Sequence, residues 1–213
     1  MKKILFVVTM FLTVASLWAA ENKKTVLLLG DSIRMGYGPY VADMMKDRAK
    51  VVYPRDNCRF TFYTLRMIAD WKKLVDDPKS VDIVHFNNGL WDIGQLDGRD
   101  CLTPVDVYAS TLQRIVAELK YHFPNARIVF ATTTPVNMEV YSKYHTKGNA
   151  EVERYNAAAC EALKGLVFAI NDLYGFVKKN DVGRYYADSA HYKKEGYRLL
   201  AAEVVRVLDG FIR

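Results

Sequence analysis

The chain has 213 residues, 51% hydrophobic and 25% charged. That is the make-up of one globular domain with a sizeable core, and it excludes a disordered chain. Its 30 Lys and Arg against 24 Asp and Glu give a net charge of +6, but the excess is spread out with no basic cluster, which argues against a nucleic-acid partner.

The first element reads as a leader. Met1-Lys2-Lys3 is basic, residues 4–18 are apolar, Ala19 and Ala20 are small, and the polar run Glu21-Asn22-Lys23-Lys24 follows. This order predicts a signal peptide over 1–20, export to the periplasm or the medium, and a single domain from 23 to 213. The apolar run falls short of the roughly 20 residues a membrane span needs, so no stable membrane insertion is expected after cleavage. Trp18 sits awkwardly at the −3 position of a cut after Ala20, so the site of cleavage stays open, and an uncleaved anchor is the alternative. Cleavage removes Lys2 and Lys3 and no acid, leaving 28 basic against 24 acidic residues and a net charge of +4.

Beyond the leader, apolar runs alternate with helical patterns. Runs at 25–29, 50–53, 81–86, 127–131 and 166–170 are unalternated and rich in Val, Ile and Leu, as strands covered on both faces are. Helices are predicted over 61–75, from about 103 to 124, over 149–163 and over 193–211. In the second of these, Thr103 is expected to cap, Pro104 to take the first helical position, and Leu112, Ile115, Val116 and Leu119 to share one face. In the last, Leu199, Leu200, Val204 and Leu208 are expected to face inward. Five strands alternating with helices predict an α/β three-layer sandwich around a parallel, doubly wound sheet. Sites in such sheets form beyond the carboxyl ends of the strands.

Two short segments carry candidate chemistry. Gly30-Asp31-Ser32 ends the first strand, where a following helix would favour developing negative charge at its start; Asp31 or Ser32 serving only as a helix cap is the plainer reading. Asp188-Ser189-Ala190-His191 puts a carboxylate three residues before an imidazole. A serine hydroxyl needs a base, and the base needs a partner to hold its tautomer. Competing motifs fail: Arg34 breaks Gly-x-Ser-x-Gly, and no phosphate loop or dinucleotide fingerprint is present. Cys58, Cys101 and Cys160 fit no metal-ligand spacing, and at most one pair could form a disulfide. His85, on a strand, reads as a core histidine.

Together the two segments make the chain similar to the SGNH (GDSL) hydrolases across nearly its whole mature length. Gly30-Asp31-Ser32 resembles the family's first block, and Asp188-x-x-His191, followed by Gly196-Tyr197-Arg198-Leu199-Leu200, its last. Asn87-Asn88-Gly89-Leu90-Trp91-Asp92 stands where the family has Gly-x-Asn-Asp, and Thr132-Thr133-Thr134-Pro135-Val136 after the fourth strand also fits the family pattern. The resemblance implies a flavodoxin-like sheet and a serine acyl-hydrolase that uses no metal or other cofactor, with Ser32 as nucleophile, His191 as base and Asp188 orienting it. It also implies an oxyanion hole formed by the Ser32 amide, an amide of the second block and a side-chain amide of the third. The second block, Pro54 to Thr61, lacks the family's Gly, so the Arg59 or Phe60 amide is expected to donate. Trp91 occupies the position of the family's Asn, and Asn88 is expected to supply the side-chain amide instead.

Trp91 and Tyr37 are candidates for substrate contact, among a crowd of aromatics that includes Tyr40, Tyr63, Tyr185, Tyr186 and Tyr192. Aromatic faces suit sugar rings, so the expected substrate is a small-molecule or glycan ester bearing acetyl or another short acyl group. A lipid esterase or thioesterase and a catalytically weakened glycan-binding protein are the alternatives. The oligomeric state is not legible.

Overall fold

The computed structural model describes residues 23–96, 99–141 and 148–212; the expected leader lies outside them. In chain order the elements are β1 (Lys24–Leu29), α1 (Ser32–Met45), β2 (Ala49–Val52), α2 (Thr61–Trp71), β3 (Val81–Phe86), α3 (Leu90–Ile93), β4 (Gln95–Leu96) and β5 (Asp100–Cys101). There follow α4 (Val105–His122), β6 (Arg127–Ala131), α5 (Met138–Tyr141), α6 (Asn149–Ala162), β7 (Ala169–Asn171), α7 (Leu173–Lys179) and α8 (Lys194–Ile212). Five strands form one sheet in the order β2-β1-β3-β6-β7, every neighbouring pair parallel. This is the doubly wound, flavodoxin-like arrangement the sequence predicts. β4 and β5 make a separate antiparallel pair.

The strands lack apolar–polar alternation because both faces of the sheet are covered. Successive side chains point to opposite faces. Leu27, Leu29, Val84, Phe86, Ile128 and Phe130 join the core beneath α2, α4 and α6. Val26, Leu28, Ile83, Val129 and Ala131 join the core beneath α1 and α8. Each of the larger side chains, fully buried, contributes roughly 1.5–3 kcal/mol. The order of strands brings the carboxyl ends of β1, β3 and β6 together, and the site forms there.

Several boundaries differ from the sequence expectation. The fifth strand starts at Ala169 and not at 166, because Gly165, with φ of +73°, turns the chain after α6 and the amides of Leu166 and Val167 still bond to the Leu163 carbonyl. It is an edge strand, and Phe168 and Ile170 remain exposed. Thr103 does not cap α4; it is buried and its amide donates to the Asp92 carbonyl, while Pro104 takes the capping position. Helix α2 ends at Trp71 and continues only as a tighter turn. Leu199 lies outside the stripe of Leu200, Val204 and Leu208 and is exposed, since one residue is a rotation of about 100°. The three cysteines carry no disulfide.

Candidate active site

Ser32 is the first residue of α1. Asp31 caps that helix, its Oδ1 accepting from the Ile33 amide at 3.0 Å, so the serine hydroxyl is not consumed in capping. Gly30 makes the approach possible. Its φ is +158°, and a Cβ there would lie 2.0 Å from Asn87 Oδ1 and 2.7 Å from Arg34 Cβ. The Ser32 amide belongs to the first helical turn, which has no intrahelical acceptor.

The Asp188–His191 turn reaches the same place from the other end of the chain. It is closed by the Ala187 amide donating to the His191 carbonyl at 2.8 Å and tied to the segment after β6 by the Asn137 amide on the Ser189 carbonyl at 2.9 Å. Asp188 Oδ1 accepts from the amides of Ala190 (2.9 Å) and His191 (2.7 Å), and its Oδ2 lies 2.8 Å from His191 Nδ1. Partial burial pushes the Asp188 carboxyl up, but the two amides and the His191 ring outweigh it and hold the group below its ordinary value. His191 Nε2 lies 2.8 Å from Ser32 Oγ. A hydrogen on Nδ1, donated to the carboxylate, leaves Nε2 able to accept the serine proton. Ser32, His191 and Asp188 are thus brought together across 159 residues.

The other expected oxyanion donors are placed differently. Asn88 is fully buried and its side-chain amide donates to the Arg59 carbonyl at 3.0 Å and to Thr64 Oγ1 at 2.9 Å. Both its hydrogens are used, so the expectation that Asn88 completes the oxyanion hole is corrected. Its carbonyl accepts from Tyr108 Oη (2.9 Å) and Thr133 Oγ1 (3.1 Å), which makes Asn88 a knot between β3, α2, α4 and β6. Arg59 adopts φ of +50°, and its amide donates to Asn57 Oδ1 at 2.8 Å. That amide is thus engaged within its own turn, while the Arg59 guanidinium lies over the Tyr63 ring. The Phe60 amide belongs to the residue that precedes α2.

Asp92, the last residue of the third block, lies beside this loop in a role the sequence reading did not assign. It is fully buried, and its carboxylate accepts from the Thr61 amide at 3.1 and 3.2 Å and from Thr61 Oγ1 at 2.7 Å, capping α2 from another element. Burial drives its pKa up to about 6 against the opposing pull of those hydrogen bonds.

A groove of about 470 Å³ opens beside Ser32 and His191, walled by Leu90, Trp91, Leu102, Tyr141 and Ala190. Trp91 faces it, 41% exposed. Tyr37 does not; it is fully buried on α1 with its ring edge-on to His85, so its expected role in substrate contact is corrected. Of the other aromatics, Tyr192 is buried and stacked on Tyr186, whose hydroxyl donates to the Pro135 carbonyl. Tyr141, which does line the groove, carries no local sequence signal for the site. His85 is a core histidine with its Nε2 3.1 Å from Asn171 Nδ2, and burial lowers its pKa to about 4.

Comparison with known proteins yields one family match. The model of the GDSL-like lipase/acylhydrolase family matches residues 28–199, which takes in both terminal blocks. No curated protein sequence matches significantly. Among solved structures, the chain is similar to an acetyl xylan esterase, AlAXEase, with 18% identity and a TM-score of 0.67 over 86% of this chain and 99% of that one. A lipase/acylhydrolase from Enterococcus faecalis gives 20% identity and a TM-score of 0.68 over 88% and 96%. Axe2, an acetylxylan esterase from Geobacillus stearothermophilus, gives 16% and 0.64 over 86% and 93%. At these identities the structures speak for the fold.

Proposed function

Because this chain belongs to the GDSL-like lipase/acylhydrolase family and is an ester-hydrolysing serine hydrolase, we propose that it is an exported esterase that removes acetyl or another short acyl group from carbohydrate substrates with Ser32, His191 and Asp188. One observation carries the chemistry: the unbroken chain from Ser32 Oγ to His191 Nε2 and from His191 Nδ1 to Asp188 Oδ2, each step 2.8 Å. In the acylation step His191 Nε2 takes the Ser32 proton as Oγ bonds to the ester carbonyl carbon. The carbonyl oxygen gathers negative charge beside the Ser32 amide at the start of α1. His191 then gives the proton to the departing alkoxide, leaving acyl-Ser32. Water attacks in turn, its proton going to His191 and back to Ser32 Oγ as the carboxylic acid leaves. Asp188 stays ionised throughout and stabilises the imidazolium.

The carbohydrate part rests on Trp91, an exposed aromatic face beside the nucleophile, and on resemblance to two proteins described as acetyl xylan esterases. Export rests on the composition of residues 1–20. A second reading, a larger apolar acyl group, draws support from the groove itself. Its volume of about 470 Å³ falls in the range of sites that hold whole small molecules, roughly 300–1,000 Å³, and its wall is mostly hydrocarbon.

The test is hydrolysis of chromogenic acetate and octanoate esters, together with acetate release from acetylated polysaccharides. Wild type should favour acetate esters, and Ser32→Ala should be inactive and unlabelled by a fluorophosphonate probe. Equal labelling of both proteins would remove Ser32 from the mechanism, and a preference for octanoate would favour the second reading.

A further inference from the structure

Arg34 lies two residues after Ser32 on α1, yet it is 1% exposed. Its side chain turns back beneath the end of β1. Nε and Nη2 donate to the Gly30 carbonyl at 3.3 and 3.1 Å, Nη1 donates to the Pro54 carbonyl at 3.0 Å, and Nη2 donates to the Asp56 carbonyl at 2.6 Å. One planar group therefore holds two segments. The first is the turn that delivers Ser32. The second is the 54–58 loop, whose Cys58 amide meets the Gly30 carbonyl at the foot of that turn.

The arrangement is expensive for a mere strut. A guanidinium out of water forfeits hydration that carbonyl oxygens only partly replace, and the buried Asp31 carboxyl attracts it only through space. The two segments already have a neutral tie. The Cys58 amide donates to the Gly30 carbonyl at 3.0 Å, and the Gly30 amide donates to Cys58 Sγ at 3.0 Å. What Arg34 adds is its rigid fork, which fixes three carbonyls around one plane and leaves the loop no freedom to slide past the nucleophile.

We propose that Arg34 is a positioning residue for ester hydrolysis, one that locks the Ser32 turn against the 54–58 loop in a single register so that Ser32 Oγ and the Ser32 amide hold their places before the oxyanion forms. The inference rests on the esterase reading of Ser32. It goes beyond it by assigning a role to a residue that touches neither substrate nor reacting atoms. A misplacement of about 1 Å at such a site costs roughly 10²-fold in rate. The loss should fall on kcat, because no residue of the loop that Arg34 holds lines the groove beside Ser32.

The experiment compares Arg34→Met, Arg34→Lys and Arg34→Ala with wild type and Ser32→Ala. Folding is checked by circular dichroism and a cooperative melt, and Ser32 is counted by fluorophosphonate titration. Expected for folded Arg34→Met are a kcat lower by roughly 10²-fold per titrated serine, KM within about threefold, and a matching fall in the rate of phosphonylation. Arg34→Ala should regain kcat saturably when methylguanidinium is added at non-denaturing concentration. Arg34→Lys, able to reach one carbonyl, should not recover wild-type kcat. Wild-type kcat in any folded Arg34 variant, or a loss confined to KM, overturns the proposal. So does a set in which no Arg34 variant folds, since the residue would then be a structural strut. Full activity in Ser32→Ala overturns the reading of Ser32 and this inference with it; an inactive Ser32→Ala beside an unimpaired Arg34→Met overturns this inference alone.

Discussion

Replacing Asp92 by asparagine should change how stability depends on pH. The carboxyl of Asp92 has an ordinary value of 3.8 and is driven by burial to about 6 in the folded protein. Between these values the native state holds a proton that the unfolded chain has released. Stability therefore falls as pH rises through this window. About two pKa units at 1.36 kcal/mol each give about 3 kcal/mol, fully present below the unfolded value near pH 4 and lost as pH rises through about 6. The substituted amide does not titrate, so the stability of Asp92→Asn minus that of wild type should climb by about 3 kcal/mol from about pH 4 to about pH 7, or roughly 6–12 °C in relative Tm for a domain of this size. Urea unfolding of both proteins at half-unit pH steps measures this difference directly. Asp188 acts in the opposite sense: its lowered pKa adds stability above the unfolded value that is lost as pH falls. It is common to both proteins and cancels in the subtraction. A difference flat to within about 1 kcal/mol, or one that falls with pH, would refute the claim that Asp92 is buried as a costly carboxylate.

Asp188→Asn should leave the fold intact and lower kcat by roughly 10³-fold or more, because an amide in that place no longer enforces the Nδ1–H tautomer; steady-state kinetics on a chromogenic acetate checks it. Asn88→Ala should act on stability, leaving the Arg59 carbonyl and Thr64 Oγ1 without their donor at a cost of about 1–3 kcal/mol. Chemical denaturation measures that loss, and an unchanged midpoint would contradict the assigned bonds. Trp91→Ala should raise KM for glycan esters more than for p-nitrophenyl acetate, whereas Trp91→Phe should stay near wild type on both; equal effects on the two substrates would remove Trp91 from the binding face.

The features legible in the amino-acid order are those whose cause is local. Strand β1 can be read because its run of apolar residues carries the burial of a two-faced sheet, and its end can be read because Gly30 admits a conformation and a close approach that a Cβ would block. The Asp188–His191 turn can be read because the partner of the imidazole lies only three residues away. From these pieces the doubly wound order and the convergence of Ser32 with His191 follow as expectations, since parallel strands with right-handed crossovers leave few other arrangements. Folding in three dimensions decides how side chains of ambiguous chemistry are spent. Asn88 has the chemistry to donate to an oxyanion, but its acceptors sit 24 and 29 residues earlier in the chain. Arg34 reads in sequence only as the residue that breaks a rival motif, and two of its three carbonyl partners lie 20 and 22 residues further on. Tyr37 and Tyr141 carry the same phenol, yet one is sealed in the core and the other walls the groove. A hydrogen-bonding group satisfies whichever partner folding brings within about 3 Å, and spacing in sequence says nothing about that distance once the partners belong to different elements.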